Sequence, residues 1–216
     1  MGYKTDPNAP TTKIGELIAN SITHGAGIGL SIAGLVVLIV RAARQGTNWY
    51  LIGVIIFGTS LILQYLASTL YHSMANKPWK AALQRLDHSA IFILIAGTYT
   101  PFLLTVIRGW LGWILFGVIW GLALVMLILK LALRKRFEKP PVWLYLLMGW
   151  LGVLVFWGSW GKINPASLTF LILGGGVYSL GILFYKWRAL PYSHSIWHLF
   201  VLGGSIFHYF SILFMV

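Results

Sequence analysis

Seven stretches of this 216-residue chain, at positions 18–40, 49–71, 88–107, 110–133, 142–160, 168–185 and 196–216, are nearly free of charge. Each is close to the roughly 20 residues that a helix needs to cross about 30 Å of hydrocarbon. In hydrocarbon the backbone N–H and C=O groups find no water, so a single apolar run must satisfy them internally as an α-helix. The sequence therefore predicts an all-α integral membrane protein, a seven-transmembrane helix bundle. Composition agrees: 58% of residues are hydrophobic and 9% charged, where a soluble domain carries about a quarter charged. Residues 1–15 form a polar amino-terminal segment with Asp6, Pro7 and Pro10, and residues 16–216 form the membrane domain. The segment lacks the basic-then-apolar order of a cleavable signal, so the first apolar helix is expected to act as an uncleaved anchor. Arg108 and Gly109 fill the shortest gap and predict a tight helical hairpin, and Pro101 is expected to kink the third helix near its middle.

The formal net charge of +12 would suggest nucleic acid as a partner in a soluble protein. Here the basic residues lie in the short connections, where they orient the chain and meet anionic headgroups, so membrane lipids are the expected partners and nucleic acid is not. Twelve of the sixteen Lys and Arg residues fall in the amino terminus and the second, fourth and sixth connections. The other four, Arg41, Arg44, Arg108 and Lys162, fall on the opposite side. The positive-inside rule then places the amino terminus in the cytoplasm and the carboxyl terminus outside. With no cysteine in the chain, a disulfide framework is excluded and any metal must take nitrogen and oxygen ligands.

Against this apolar background a few polar side chains stand out. Ser68 and His72 lie four residues apart near the end of the second run, Asp87 and His88 open the third, and His194 and His198 lie four apart at the start of the last. An ionisable group in hydrocarbon costs roughly 3 kcal/mol or more, so its presence points to use. In the predicted topology all these groups reach the cytoplasmic leaflet. Residues at i and i+4 share a helix face, so His194 and His198 can chelate one ion, with His72 as a third nitrogen. Three imidazoles leave a fourth position for water, the pattern of a catalytic zinc. Zinc brings the pKa of such a water to about 7. Ser68 could hydrogen-bond the water or a ligand, and Asp87 could orient a histidine or accept a proton as general base.

The plainer alternative is that each histidine caps carbonyls at the membrane boundary. The convergence of three histidines and Asp87 on one leaflet favours a metal. His88 points about 100° away from Asp87 and is expected to pack or to support its neighbours. His208 lies roughly 15 Å beyond His198 along the axis, too far to share the ion, and reads as structural. Glu16, Asn20 and His24 form an i, i+4, i+8 stripe. The stripe reads first as the polar start of the first helix and otherwise as a wall or gate of the same cavity, with His24 the best substitute ligand should one of the three fail.

Four motifs, NSITHG at 20–25, STLYHS containing Ser68 and His72, LDHSAIFILIAGTYTP at 86–101 and HSIWHLF at 194–200, resemble the hemolysin III branch of the progestin and adipoQ receptor family. The likeness spans nearly the whole chain and implies a bacterial-type member, a seven-helix bundle with a cytoplasmic amino terminus, and residence in the cell membrane, for a bacterium the inner membrane. The resemblance also implies zinc held by His72, His194 and His198, with Ser68 and Asp87 around its water, and a metal motif similar to that of alkaline ceramidases. Its implied activity is zinc-dependent hydrolysis of a lipid-like substrate, an amide or ester, from the inner leaflet. The alternative is a non-enzymatic regulator of membrane lipid or energy balance, or a pore-forming hemolysin, with a structural or sensing zinc. A third alternative, a proton relay through His208, Asp87 and His24, meets few polar groups in the outer half of the bundle.

Overall fold

The computed structural model describes residues 14–45, 47–74, 78–132, 142–156, 161–187 and 189–216. Among these residues there are seven helices and no strand: α1 Ile14–Gln45, α2 Asn48–Ser73, α3 Lys80–Thr105, α4 Trp110–Ala132, α5 Val142–Phe156, α6 Pro165–Lys186 and α7 Ser193–Leu213. All but α5 are long and apolar enough to cross a membrane. Its described part has 15 residues, and the remainder of that expected span, 157–160, lies outside the described residues. So do residues 1–13 of the expected polar segment and the basic connection at 134–139; Gly15, the last residue of that segment, already belongs to α1.

The exterior is apolar. α1 turns Ile18, Ile22, Val36 and Val37 outward, and α4 does the same with Trp110, Val125 and Ile128. In water such a surface would aggregate; in lipid it is the matched solvent contact. The interior holds Tyr50, Phe57, Tyr65, Phe92 and Phe102 together with an unusual number of buried hydroxyls, amides and histidines. Several buried hydroxyls return to their own helix, as Thr98 and Thr100 do to carbonyls one turn back. Others tie helices together, as Ser167 donates to the Ser211 carbonyl and Ser211 to that of Ser167.

Neighbour relations run α1 to α2, α2 to α3, α3 to α5, α5 to α6, α6 to α7 and α7 back to α1, with α3 also touching α7 across the ring and α4 packed outside α3. α3 is thus the central element. The expected hairpin is present: α3 ends at Thr105, and Gly109 takes φ 125°, a conformation that only glycine adopts freely, before α4 begins.

Two expectations about α3 need correction. Asp87 and His88 do not open it; the helix begins at Lys80, so they lie about two turns inside. The residues from Lys80 to Arg85 include good helix formers, and the Leu83 N–H already bonds the Trp79 carbonyl at 2.9 Å. Polarity ended the apolar run there without ending the helix. For the same reason Pro101 sits four residues from the end of α3, in its last turns, and not near the middle. There its missing N–H costs one bond near a terminus.

Candidate metal centre

The last turns of α2, the third turn of α3 and the first turns of α7 meet at one end of the bundle, joined by the amino-terminal third of α1. One nitrogen from each of His72, His194 and His198 lies within 4.8 Å of the other two. Ring centroids are 5.1 Å apart for His72 and His194, 4.9 Å for His72 and His198, and 4.6 Å for His194 and His198. The i, i+4 spacing on α7 puts two rings on one face, and α2 supplies the third from the opposite wall.

With zinc–nitrogen bonds of about 2.0–2.1 Å the three nitrogens would have to stand about 3.4 Å apart, so they would draw in by at most about 1.4 Å. The buried nitrogens fit such a tenant: His72 Nε2 and His198 Nδ1 are shielded from solvent and have no hydrogen-bond partner. A buried polar atom left unpaired calls for an ion, a water or a functional reason. These three histidines could therefore hold a metal ion.

Asp87 is buried at 7% exposure and Ser68 at 1%. Gln64 Nε2 donates to Asp87 Oδ1 at 3.3 Å. Ser68 lies against the same carboxyl without completing a hydrogen bond to it, and its Oγ has no partner. Gln64, Ser68 and His72 form an i, i+4, i+8 line down α2, so one helix face carries a ligand candidate, a hydroxyl and the group that holds Asp87. Gln64 went unrecognised in the sequence, although that spacing could have revealed it. His88 lines the same cavity as Asp87 and is held by its neighbours: its Nδ1 meets the fully buried Lys130 ammonium at 3.1 Å, and its backbone carbonyl accepts from the Tyr145 hydroxyl at 3.1 Å.

α1 is more than a wall. The His24 ring stacks on His198 with centroids 3.7 Å apart and planes 16° apart, and its edge meets Tyr65. Imidazole binds a metal close to its own ring plane. Stacked in this way, the two rings would not bind one ion together, so His24 would serve as a substitute only in the place of His198. Both of its nitrogens are buried and without a hydrogen-bond partner. Asn20, one turn earlier, places its amide 3.4 Å from His72 Nδ1 and accepts from Ser195 Oγ at 2.6 Å.

Beside this cluster a cavity of ≈ 200 Å³ runs between α3, α5, α6 and α7. Ser68, Asp87, His194 and His198 line one end; Leu94, Phe102, Leu171 and Ile172 are among its apolar walls. His208 also lines it, against Tyr178 with ring centroids 5.3 Å apart, well away from the triad as its spacing requires.

Comparison with known proteins places the sequence in a described group. A family model described as "Haemolysin-III related" matches residues 14–209. The chain is 47% identical over 201 residues to the "Hemolysin-3 homolog" of Bacillus subtilis (strain 168), covering 93% of this chain and 94% of that protein. It is 44% identical over 206 residues to "Hemolysin-3" of Bacillus cereus, covering 95% and 94%. A more distant likeness, 29% over 205 residues and 91% and 83% of the two chains, reaches the human "Monocyte to macrophage differentiation factor". Six apolar helices of spanning length and these bacterial relatives make the chain a multi-pass protein of the cell membrane.

Proposed function

The chain belongs to the haemolysin-III-related family, and from that premise we propose that it is a zinc-dependent hydrolase of lipid amides or esters working at the cytoplasmic leaflet. The observation that carries the proposal is the histidine triad, with buried unpaired nitrogens on His72 and His198, set beside a buried carboxyl at the end of an apolar cavity. His72, His194 and His198 would hold the ion; three nitrogens and no thiolate suit zinc with a position left open. Bound there, zinc supplies Lewis acidity for a carbonyl and brings a water's pKa near neutrality.

The remaining steps belong to this chain's own residues. Asp87, held by Gln64, accepts the proton of the attacking water and returns it to the leaving amine or alcohol. Ser68 donates its free hydroxyl to the substrate carbonyl or to that water. The apolar walls take the acyl chain and exclude bulk water, which strengthens each polar contact at the reacting end. The charge asymmetry of the connections supports a cytoplasmic amino terminus, which puts the site within reach of inner-leaflet lipids.

Elemental analysis of purified protein should find about one zinc per chain, lost in His72→Ala and in His198→Ala. Asp87→Asn should keep the zinc and lose at least about 100-fold in release of fatty acid from a long-chain N-acyl amine, the usual scale for a missing general base. Wild-type protein without a transition metal, or an Asp87→Asn variant with undiminished turnover, would refute the reading. The names of the two Bacillus relatives favour a second reading, in which the protein alters membrane permeability and the metal is structural. Dye release from liposomes containing wild-type protein, unchanged in Asp87→Asn and without lipid cleavage, would support that one.

A further inference from the structure

We infer that Asn20 of α1 is a positioning residue for the metal centre, setting which nitrogen of His72 carries the proton and so which one faces the ion. The inference rests on the metal reading above and deepens it. Asn20 is buried at 1% exposure, and its side chain is spent entirely on two residues of the site. Its Nδ2 lies 3.4 Å from His72 Nδ1, while its Oδ1 accepts from Ser195 Oγ at 2.6 Å. Its backbone interacts with the ring of His198. One residue of the first helix thus touches the ligand on α2, a ligand on α7 and the residue that separates His194 from Ile196.

The chemistry follows from what a neutral imidazole can do. It has one N–H and one acceptor nitrogen, and the acceptor is the metal ligand. His72 Nε2 is the unpaired nitrogen. For it to bind an ion, the proton must sit on Nδ1, and Nδ1 must donate. Its neighbour is the Asn20 amide, whose oxygen and nitrogen are interchangeable by a half-turn of the side chain. With the amide turned, Oδ1 accepts from His72 Nδ1–H, and Nδ2 donates to Ser195 Oγ, whose hydroxyl accepts as readily as it donates. Both partners remain satisfied in either orientation. The pair Asn20 and Ser195 therefore accommodates the metal-free tautomer and the metal-binding one at equal hydrogen-bond count, which a carbonyl or a lysine in that place could not do.

A hydrogen bond from the far nitrogen of a ligating histidine typically changes metal affinity 10- to 100-fold. Zinc affinity, measured by competition with a fluorescent chelator on the purified full-length protein, should fall in that range for Asn20→Leu. Asn20→Asp, whose carboxylate accepts from Nδ1–H in the same geometry, should match or exceed the wild type. Ser195→Ala, which removes the amide's second partner, should weaken binding by a smaller factor. Unfolding temperature of each metal-free variant separates loss of affinity from loss of fold. If Asn20→Leu does not fold, the ranking of the other two decides: Asn20→Asp above Ser195→Ala supports the inference, and the reverse overturns it. Asn20→Leu folded and with wild-type affinity also overturns it, leaving the zinc reading intact. Wild-type protein that binds no zinc overturns both.

Discussion

Among the buried side chains His24 has the least comfortable surroundings, with both ring nitrogens shielded and unpaired while its face lies on His198. A buried unpaired polar atom costs about 1–3 kcal/mol. His24→Phe keeps the stack and the edge contact with Tyr65 while removing that cost, so metal-free protein should unfold at the same temperature or higher. On the metal reading a His24 stacked on His198 would not share its ion, so zinc affinity should stay within about threefold of wild type; a fall beyond tenfold would make it a ligand. The residues legible from sequence were those whose chemistry is rare in lipid: His72, His194, His198 and Asp87 were visible as ionisable groups in apolar runs. Gln64 and Ser195 were not singled out, and Asn20 was read only as part of the polar stripe of the first helix. Amides and hydroxyls are common on buried membrane helices, and only the relative rotation of α1, α2, α3 and α7 shows whom they touch.

At the scale of elements, all seven expected segments correspond to helices, because apolar length alone forces them; their ends were less legible. Hydropathy marks where lipid contact stops, and α3 continues two turns past that point on helix-forming polar residues. Packing was invisible for the same reason, since an apolar surface reads alike whether it faces lipid or a neighbour. Gly53 illustrates the difference. A Cβ there would lie 2.7 Å from the Pro101 Cα, a backbone atom with nowhere to go, so α2 and α3 approach closely only because that position is bare. Gly121 on α4 has nothing within 4 Å of the same added atom. Gly53→Ala should destabilise the purified protein by about 1–3 kcal/mol through overpacking, whereas Gly121→Ala should be neutral or stabilising by up to about 1 kcal/mol through helix propensity. Thermal unfolding of the two in one detergent checks the contrast.

For the molecule as a whole, the charge distribution of the connections predicts an orientation across the membrane. The absence of cysteine makes it testable with single substitutions. Lys186→Cys, at the end of α6, should resist a membrane-impermeant thiol reagent added to intact cells, and Lys162→Cys, just before α6, should react; the opposite pattern would invert the bundle. The order in which the helices leave the ribosome adds a constraint. Asn20 belongs to α1, and the His194 and His198 pair to α7. On the metal reading, a nascent chain could not close the ligand set around a cation before α7 has joined α1 and α2 in the bilayer. Loading would then wait for that helix, and a product stopped short of it would stay chemically silent.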